Sequence, residues 1–336
     1  MAESKRLHRA ARIEDWLHRK REGYARRRGR VPTVIAYTGY GSTSSVRVFC
    51  RVLLTNPNSA ANLHPESVRG WRSFVSIPVG EAEVQVRIGS VELTLFADRG
   101  GVLDTDIRVD LKPGWHTAVF STPGGTRAEA PVFVVAEQVQ YGMLSDVDDT
   151  IMVTMLPRPL LAAWNTFVLN EHARIPTPGM AVLYDRFTRA HSGAPIVYLS
   201  TGAWNVAPTL RRFLSRNLFP PGPLLLTDWG PTHDRWFRSG KAHKRNNLDR
   251  LAAEFPNIKW VLVGDDGQHD IETYSAFAKS HPEQVAAIVI REMTGGEAVL
   301  AGGRAEHTVE SPVPIVFGPD GASIGAELVK LGLLPN

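Results

Sequence analysis

The sequence predicts an α/β protein: a doubly wound parallel sheet, preceded by a small β-sandwich and a basic N-terminal helix. Three observations carry this. The apolar runs Tyr141 to Leu144, Ile196 to Leu199 and Trp260 to Val263 are short and rich in Val, Ile and Leu, and helical patterns separate them, as expected of strands buried on both faces of a parallel sheet. Upstream, about seven segments alternate or cluster β-branched residues between Gly and Pro breaks, the mark of antiparallel strands. Residues 1 to 30 carry eleven Lys or Arg against four acids, so the net charge of +4 belongs to that arm and the remainder is slightly acidic.

In the arm, Leu7, Ala10, Ile13, Trp16 or Leu17 and Tyr24 recur at helical spacing among Arg and Lys, which describes a basic amphipathic helix. Such a helix either lies on an anionic membrane or packs on its own domain; no nucleic-acid module accompanies the charge, so nucleic acid is not an expected partner. Residues 31–136 are read as the β-sandwich, with strands at Val46 to Leu54, Arg72 to Val79, Glu83 to Ile88, Val91 to Ala97, Asp106 to Leu111, Thr117 to Ser121 and Pro131 to Val135. Trp71, Arg72 and the Asp98 to Gly101 loop read as a core anchor and a hairpin turn rather than a ligand surface. Residues 137–320 form the parallel-sheet domain and 321–336 a C-terminal helix and tail. Within the former, Ile151 to Pro195 reads either as a flap over the strand ends, apolar at Trp164, Phe167, Val168 and Leu169, or as the crossover helix that every parallel connection needs.

Composition narrows the function classes. A chain of 336 residues with 43% hydrophobic and 21% charged content has ample core for two domains. The single cysteine, Cys50, excludes an internal disulfide, sits in a strand pattern as a buried thiol and fits a reducing cytoplasm. No apolar run approaches the roughly 18 residues of a spanning helix, and no signal-peptide core is visible near the start. A cytoplasmic protein, with the arm as its means of reaching the inner membrane surface, is expected. His191, His233, His243 and His269 have no zinc-ligand spacing.

Four polar clusters fall where ligands bind in doubly wound sheets, just beyond the carboxyl ends of strands. Asp146, Asp148, Asp149 and Thr150 follow the first run; Ser200 and Thr201 end the second. Gly264, Asp265, Asp266, His269 and Asp270 follow the third, and Lys244 lies in the polar stretch Ser239 to Asn247, just before a helical segment. Acids this close repel one another unless a cation neutralises them, and an all-oxygen shell suits Mg²⁺. An Asp-rich turn is the plainer alternative for the first cluster alone.

In order and spacing, DxDxT, a strand-end Ser or Thr, a Lys and GDDxxxD resemble the haloacid dehalogenase (HAD) phosphohydrolase superfamily. More narrowly, residues 141 to about 292 resemble the catalytic domain of the actin-patch-protein type phosphatidate phosphatases, through SDVDDTI, PTPGMAVLY, YLSTGAW, His243 with Lys244, LVGDDGQHDIETY and AAIVIRE. That family usually reads close to SNSPW where this chain has Ser200 to Trp204, and Ser where Asp266 stands.

Phosphoryl transfer needs a nucleophile, a cation, donors to the phosphoryl oxygens and a proton source for the leaving group. The expected roles are Asp146 as nucleophile, Asp148 as acid and then base, and Ser200 and Lys244 as donors, with Thr150 beside them. Asp265, with Asp266 or Asp270 through water, joins Asp146 and, on the family's pattern, the Asp148 carbonyl around Mg²⁺. Thr201, Gly202, Trp204 and His269 are expected to border the substrate. The resemblance implies hydrolysis of phosphatidate, an anionic phospholipid, to diacylglycerol and phosphate; the alternatives are a soluble phosphomonoester or phosphoprotein as substrate, or a non-catalytic lipid-binding scaffold.

Overall fold

The computed structural model describes residues 20–57, 77–153, 175–227, 233–267, 269–300 and 310–336. Most of the basic arm, Trp71, Arg72, the apolar part of the 151–195 segment and Gln268 lie outside them.

Strand β2 (Ser45–Thr55) shows how one alternating pattern serves two cores. Val46, Val48, Cys50, Val52 and Leu54 point into a core shared by the N-terminal strands. Phe49 and Leu53, with Arg47 and Arg51 on the same face, turn instead to the parallel-sheet unit. Side chains alternate across a strand, so a strand buried on both faces can bind two layers together. Its partner β1 (Val31–Gly41) reads as apolar nearly throughout and was not expected as a strand; it is paired antiparallel along its length with β2. The register slips between Tyr37 and Tyr40, a bulge that inserts one extra residue on β1. As a result Tyr37 and Tyr40, an odd number of residues apart, both face the parallel-sheet unit with Ile35.

The other N-terminal strands are β3 (Ile77–Pro78), β4 (Glu83–Ile88), β5 (Val91–Phe96), β6 (Val102–Arg108), β7 (Gly114–Ser121) and β8 (Arg127–Val134). They run in one hydrogen-bonded path, β3-β2-β1-β8-β7-β4-β5, with β6 also on β2. The strand expected at Asp106 to Leu111 starts earlier, at Val102, because its pairing partner is β2, which holds Val102 against Arg51. Asp98 closes the turn before it, accepting from the Val102 backbone N–H at 2.8 Å; this is a tight turn but not the expected hairpin, because β5 pairs with β4 and β6 with β2. A helix over 20–27 lays Ala25 into the N-terminal core and leaves Tyr24 exposed.

The second sheet is parallel throughout, in the order β13-β12-β9-β14-β15-β16. Its strands are β9 (Tyr141–Asp146), β12 (Ile196–Ala203), β13 (Leu224–Thr227), β14 (Lys259–Asp265), β15 (Val285–Arg291) and β16 (Ile315–Gly318). From β9 the chain fills one side of the sheet and then crosses to the other, so β12 and β14 flank β9 and their carboxyl ends meet there. The connecting helices are α1 (Met180–Ala190), α2 (Ala207–Arg216), α3 (His233–Glu254), α4 (Asp270–Ser280), α5 (Gly295–Leu300) and α6 (Gly321–Lys330). Helix α1 buries Met180, Leu183, Tyr184 and Phe187 and is the crossover helix of the 151–195 segment. Before it, β10 (Met152–Val153) pairs antiparallel with β11 (Ile175–Pro176). The C-terminal helix α6 packs Ile324 and Leu328 into the same core as α1. No helix among the described residues is long and apolar enough to cross a membrane.

Candidate active site at the carboxyl ends of the parallel strands

Asp146 is the last residue of β9 and Asp265 the last of β14, two adjacent parallel strands, which puts both carboxylates at one edge. Asp270 opens α4, five residues after Asp265, so the strand-to-helix turn folds it back over the strand end. Gly264 makes this close approach possible: a Cβ there would lie 2.5 Å from Asp270 Oδ2. Ligand atoms of Asp146, Asp265 and Asp270 all lie within 4.8 Å of one another, and all three residues are buried.

Lys244 Nζ enters this cluster from α3, at 2.6 Å from Asp146 Oδ1 and 2.5 Å from Asp270 Oδ1. It lies within α3, whose helical turns begin well before Lys244 rather than after it. The sequence there is polar enough to pass for a loop; tertiary packing carries the helix through it. Burial opposes the charge on Lys244, yet Asp146 and Asp270 outweigh it and hold the ammonium protonated, its pKa above the ordinary value. Burial pushes the Asp146 carboxyl well above the usual carboxylate range, against Lys244, and Asp270, Asp148 and Asp265 push it the same way. Asp265 is raised for the same first reason, with Asp270 adding to it. One ammonium does not balance three buried carboxylates, and Oδ2 of both Asp146 and Asp265 is buried with no hydrogen-bond partner. Oxygen-only donors in excess of positive charge fit a hard divalent cation such as Mg²⁺.

Ser200, on β12 beside β9, donates from Oγ to Asp148 Oδ2 at 3.0 Å and accepts from the Gly202 backbone N–H at 3.0 Å. Thr150 is buried, and the Thr201 and Gly202 carbonyls of β12 are held by the Thr227 hydroxyl of β13 at 2.9 and 3.2 Å. The structure therefore brings together Asp146, Asp148, Ser200, Lys244, Asp265 and Asp270.

Three expected site residues are placed differently. Asp266 Oδ1 accepts from the Met293 backbone N–H at 2.9 Å and is not among the three clustered carboxylates; it ties the end of β14 to the loop after β15. His269 is exposed and pairs with Glu272 at 3.3 Å. Trp204 is not at the substrate edge: it is 4% exposed, and its ring lies 4.8 Å from Tyr37 and 5.5 Å from Phe49, because the two sheets bury it between them.

Arg291 adds a contact that no motif in the sequence marks. Asp149 sits in the left-handed region with φ 57°, a conformation costing about 1 kcal/mol or more for a residue with a Cβ. Arg291, 3% exposed at the end of β15, donates from Nη1 to the Asp149 carbonyl at 2.8 Å and is itself held by both oxygens of Glu297. Its only signal was its position at the end of the AAIVIRE run.

Fold and site together define an α/β protein whose parallel-strand ends gather acids, a lysine and a serine around one buried point, an arrangement able to bind a divalent cation and a phosphoryl group. Residues 141–292 match the family model described as phosphatidate phosphatase APP1, catalytic domain, so the resemblance carried by the motifs holds over that stretch. The chain is 28% identical over 153 residues to phosphatidate phosphatase APP1 of Saccharomyces cerevisiae, covering 45% of this chain and 25% of that protein. It is 26% identical over 168 residues to an uncharacterized protein of Schizosaccharomyces pombe, covering 49% and 27%. The chain thus spans about a quarter of the length of these curated relatives. A carbohydrate acetylesterase from Xanthomonas citri covers 90% of this chain and 74% of its own at 10% identity, but its TM-score of 0.31 carries no argument.

Proposed function

We propose that this protein is a Mg²⁺-dependent phosphatidate phosphatase with a HAD-like, doubly wound catalytic domain at 137–320, a β-sandwich at 31–136 and a peripheral membrane contact. The observation that carries the reading is the buried meeting of Asp146, Asp265 and Asp270 with Lys244, at residues that match a phosphatidate phosphatase catalytic domain. Asp146 Oδ2, Asp265 and Asp270 would hold the cation, with Asp148 and Asp266 beside them; it would neutralise phosphoryl oxygens.

In the first step an Asp146 oxygen attacks phosphorus and the ester P–O bond breaks, with the leaving oxygen taking a proton from Asp148. The hydrogen bond from Ser200 Oγ orients the Asp148 carboxyl for this transfer. In the second step Asp148, now ionised, takes a proton from water as it attacks the aspartyl phosphate, releasing inorganic phosphate and regenerating Asp146. Lys244 offers its charge to the phosphoryl oxygens, and its contact with Asp146 keeps that side chain in one rotamer.

A second reading keeps this chemistry on a soluble phosphomonoester. It is favoured by Ser200 to Trp204, on and just after the strand beside Asp146, which read STGAW where phosphatidate phosphatases of this type usually read close to SNSPW. Phosphate release from phosphatidate in mixed micelles, set against a panel of water-soluble phosphomonoesters, separates the two. Phosphatidate should be preferred, chelation should abolish turnover and Mg²⁺ restore it. Asp146→Asn should lose several orders of magnitude and Asp148→Asn should slow both steps. Activity that persists after exhaustive chelation, or in pure Asp146→Asn protein, would sink the proposal.

A further inference from the structure

Helix α3 is held by two side chains one turn apart on the same face. Lys244 reaches Asp146 and Asp270. Asn247, three residues on and 6% exposed, accepts on Oδ1 from Arg47 Nη1 at 3.3 Å and donates from Nδ2 to the His243 carbonyl at 2.9 Å. Arg47 comes from β2 of the N-terminal sheet, outside the stretch that matches the phosphatase family. Its guanidinium is immobilised in turn. Nε and Nη2 take both oxygens of Asp104 at 2.6 and 2.7 Å, Nη1 also meets the Tyr40 hydroxyl at 3.1 Å, and the Phe49 ring lies 4.9 Å away. A planar fork engaged on all three nitrogens acts as a strut between layers and not as a receptor for an anion.

We propose that Arg47 is a positioning residue for Lys244: through Asn247, the N-terminal sheet sets where α3 lies and so holds the lysine against Asp146 and Asp270. The consequence for turnover rests on the phosphatase reading; the consequence for Lys244 itself does not. A buried lysine meets two carboxylates at once only from one helix position, and a misplacement of about 1 Å at a reacting centre is enough to cost about a hundredfold in rate. Replacing the arginine with lysine keeps the charge beside Asp104 but removes the fork that reaches Asp104 and Asn247 together.

The test uses the full chain with Arg47→Lys and, from the helix side, Asn247→Ala, which leaves the Asp104 and Tyr40 contacts intact; if one fails to fold, the other decides. Turnover is measured on whichever phosphomonoester the wild type hydrolyses, well below the thermal midpoint of each protein. In parallel, native-state acylation of Lys244 by an amine-reactive ester is followed by peptide mass spectrometry, with the exposed Lys112 and Lys259 as internal standards. The expected result is a kcat lower by about tenfold or more with KM within about twofold, and Lys244 labelled several times faster against unchanged standards. Folded variants that label Lys244 at the wild-type rate and keep its kcat, however much their midpoints fall, overturn the proposal. Should the wild type hydrolyse no phosphomonoester, the phosphatase reading falls, while the labelling still decides what Arg47 does.

Discussion

At His243 the interior imposes a cost that Lys244, its neighbour, escapes. Lys244 is buried among acids that favour its charge, whereas burial alone dominates at His243 and lowers its pKa from 6.5 to about 4, with the Leu225 carbonyl only partly opposing. The folded protein thus keeps this imidazole neutral over a range where the unfolded chain binds a proton. Since the depressed value lies in the native state, stability is intact above about pH 6.5 and falls as pH drops towards 4, by about 3 kcal/mol in the limit. His243→Gln keeps a donor for Leu225 without the titration and should flatten the pH dependence of the thermal midpoint between pH 4 and 7; an unchanged slope would assign the acid loss to other groups. At this scale the linear motifs were legible because their residues are neighbours in the chain: Asp146 and Asp265 end their strands and Asp148 follows two residues after β9, whereas Ser200, expected at a strand end, lies within β12, which runs on to Ala203. The choice of Asp270 over Asp266 was not legible, because it depends on a strand-to-helix turn that brings one carboxylate back and leaves the other on the Met293 N–H. Arg291 was invisible for a related reason. Its partner is a backbone carbonyl in a loop 142 positions away, and no side-chain pattern marks that.

Among the elements, β2 and the turn after β12 decide how the two sheets meet. Trp204 follows β12 directly and lies against Tyr37 and Phe49, whose rings reach it through the ordinary alternation of β1 and β2. Beside it the Tyr37 hydroxyl donates to the Trp204 carbonyl at 3.4 Å, Arg51 bonds Asn205, and Arg250 of α3 bonds Asp106 at 2.5 Å. Exposed ion pairs such as the last contribute little, so the aromatic contact dominates the seam. Trp204→Ala should therefore cost about 3–5 kcal/mol, as for other large-to-small changes at fully buried rings. Urea unfolding measures it, and a loss below about 1 kcal/mol would mean that the polar ties alone hold the layers together. The strand periodicities were readable for β2, β4 and β5, within a residue or so at each end, since each shows alternation or a compact apolar run. Strand β1 escaped because burial on both faces removes alternation, and the start of α3 escaped because the polar run Lys241 to Asn247 carries no apolar stripe in the sequence.

Over the whole molecule the charge is uneven, and the N-terminal arm is where that has a consequence. Residues 20–27 already pack through Ala25, so the membrane question concerns residues 1–19, with five Lys or Arg. Attraction to an anionic surface is worth about 1 kcal/mol per basic residue held near it and is screened by salt within about 8 Å at physiological strength. Removing residues 1–19 should abolish pelleting with phosphatidate-containing vesicles at moderate salt while leaving turnover of a short-chain soluble analogue nearly unchanged; pelleting equal to that of the full chain would move the contact elsewhere. The amino-acid sequence by itself determined the mixed α/β class, the strands that end in acids, and the resemblance over 141–292, because each of these is written in local order: period, spacing and strand-end position. The tertiary structure alone decided which carboxylates converge, that Arg291 holds the Asp149 turn, that Trp204 belongs to the seam and that a strand of the N-terminal sheet touches the lysine's helix. Those contacts join residues tens to hundreds of positions apart, and only the packing of two sheets through the doubly buried β2 brings them within hydrogen-bonding or van der Waals reach.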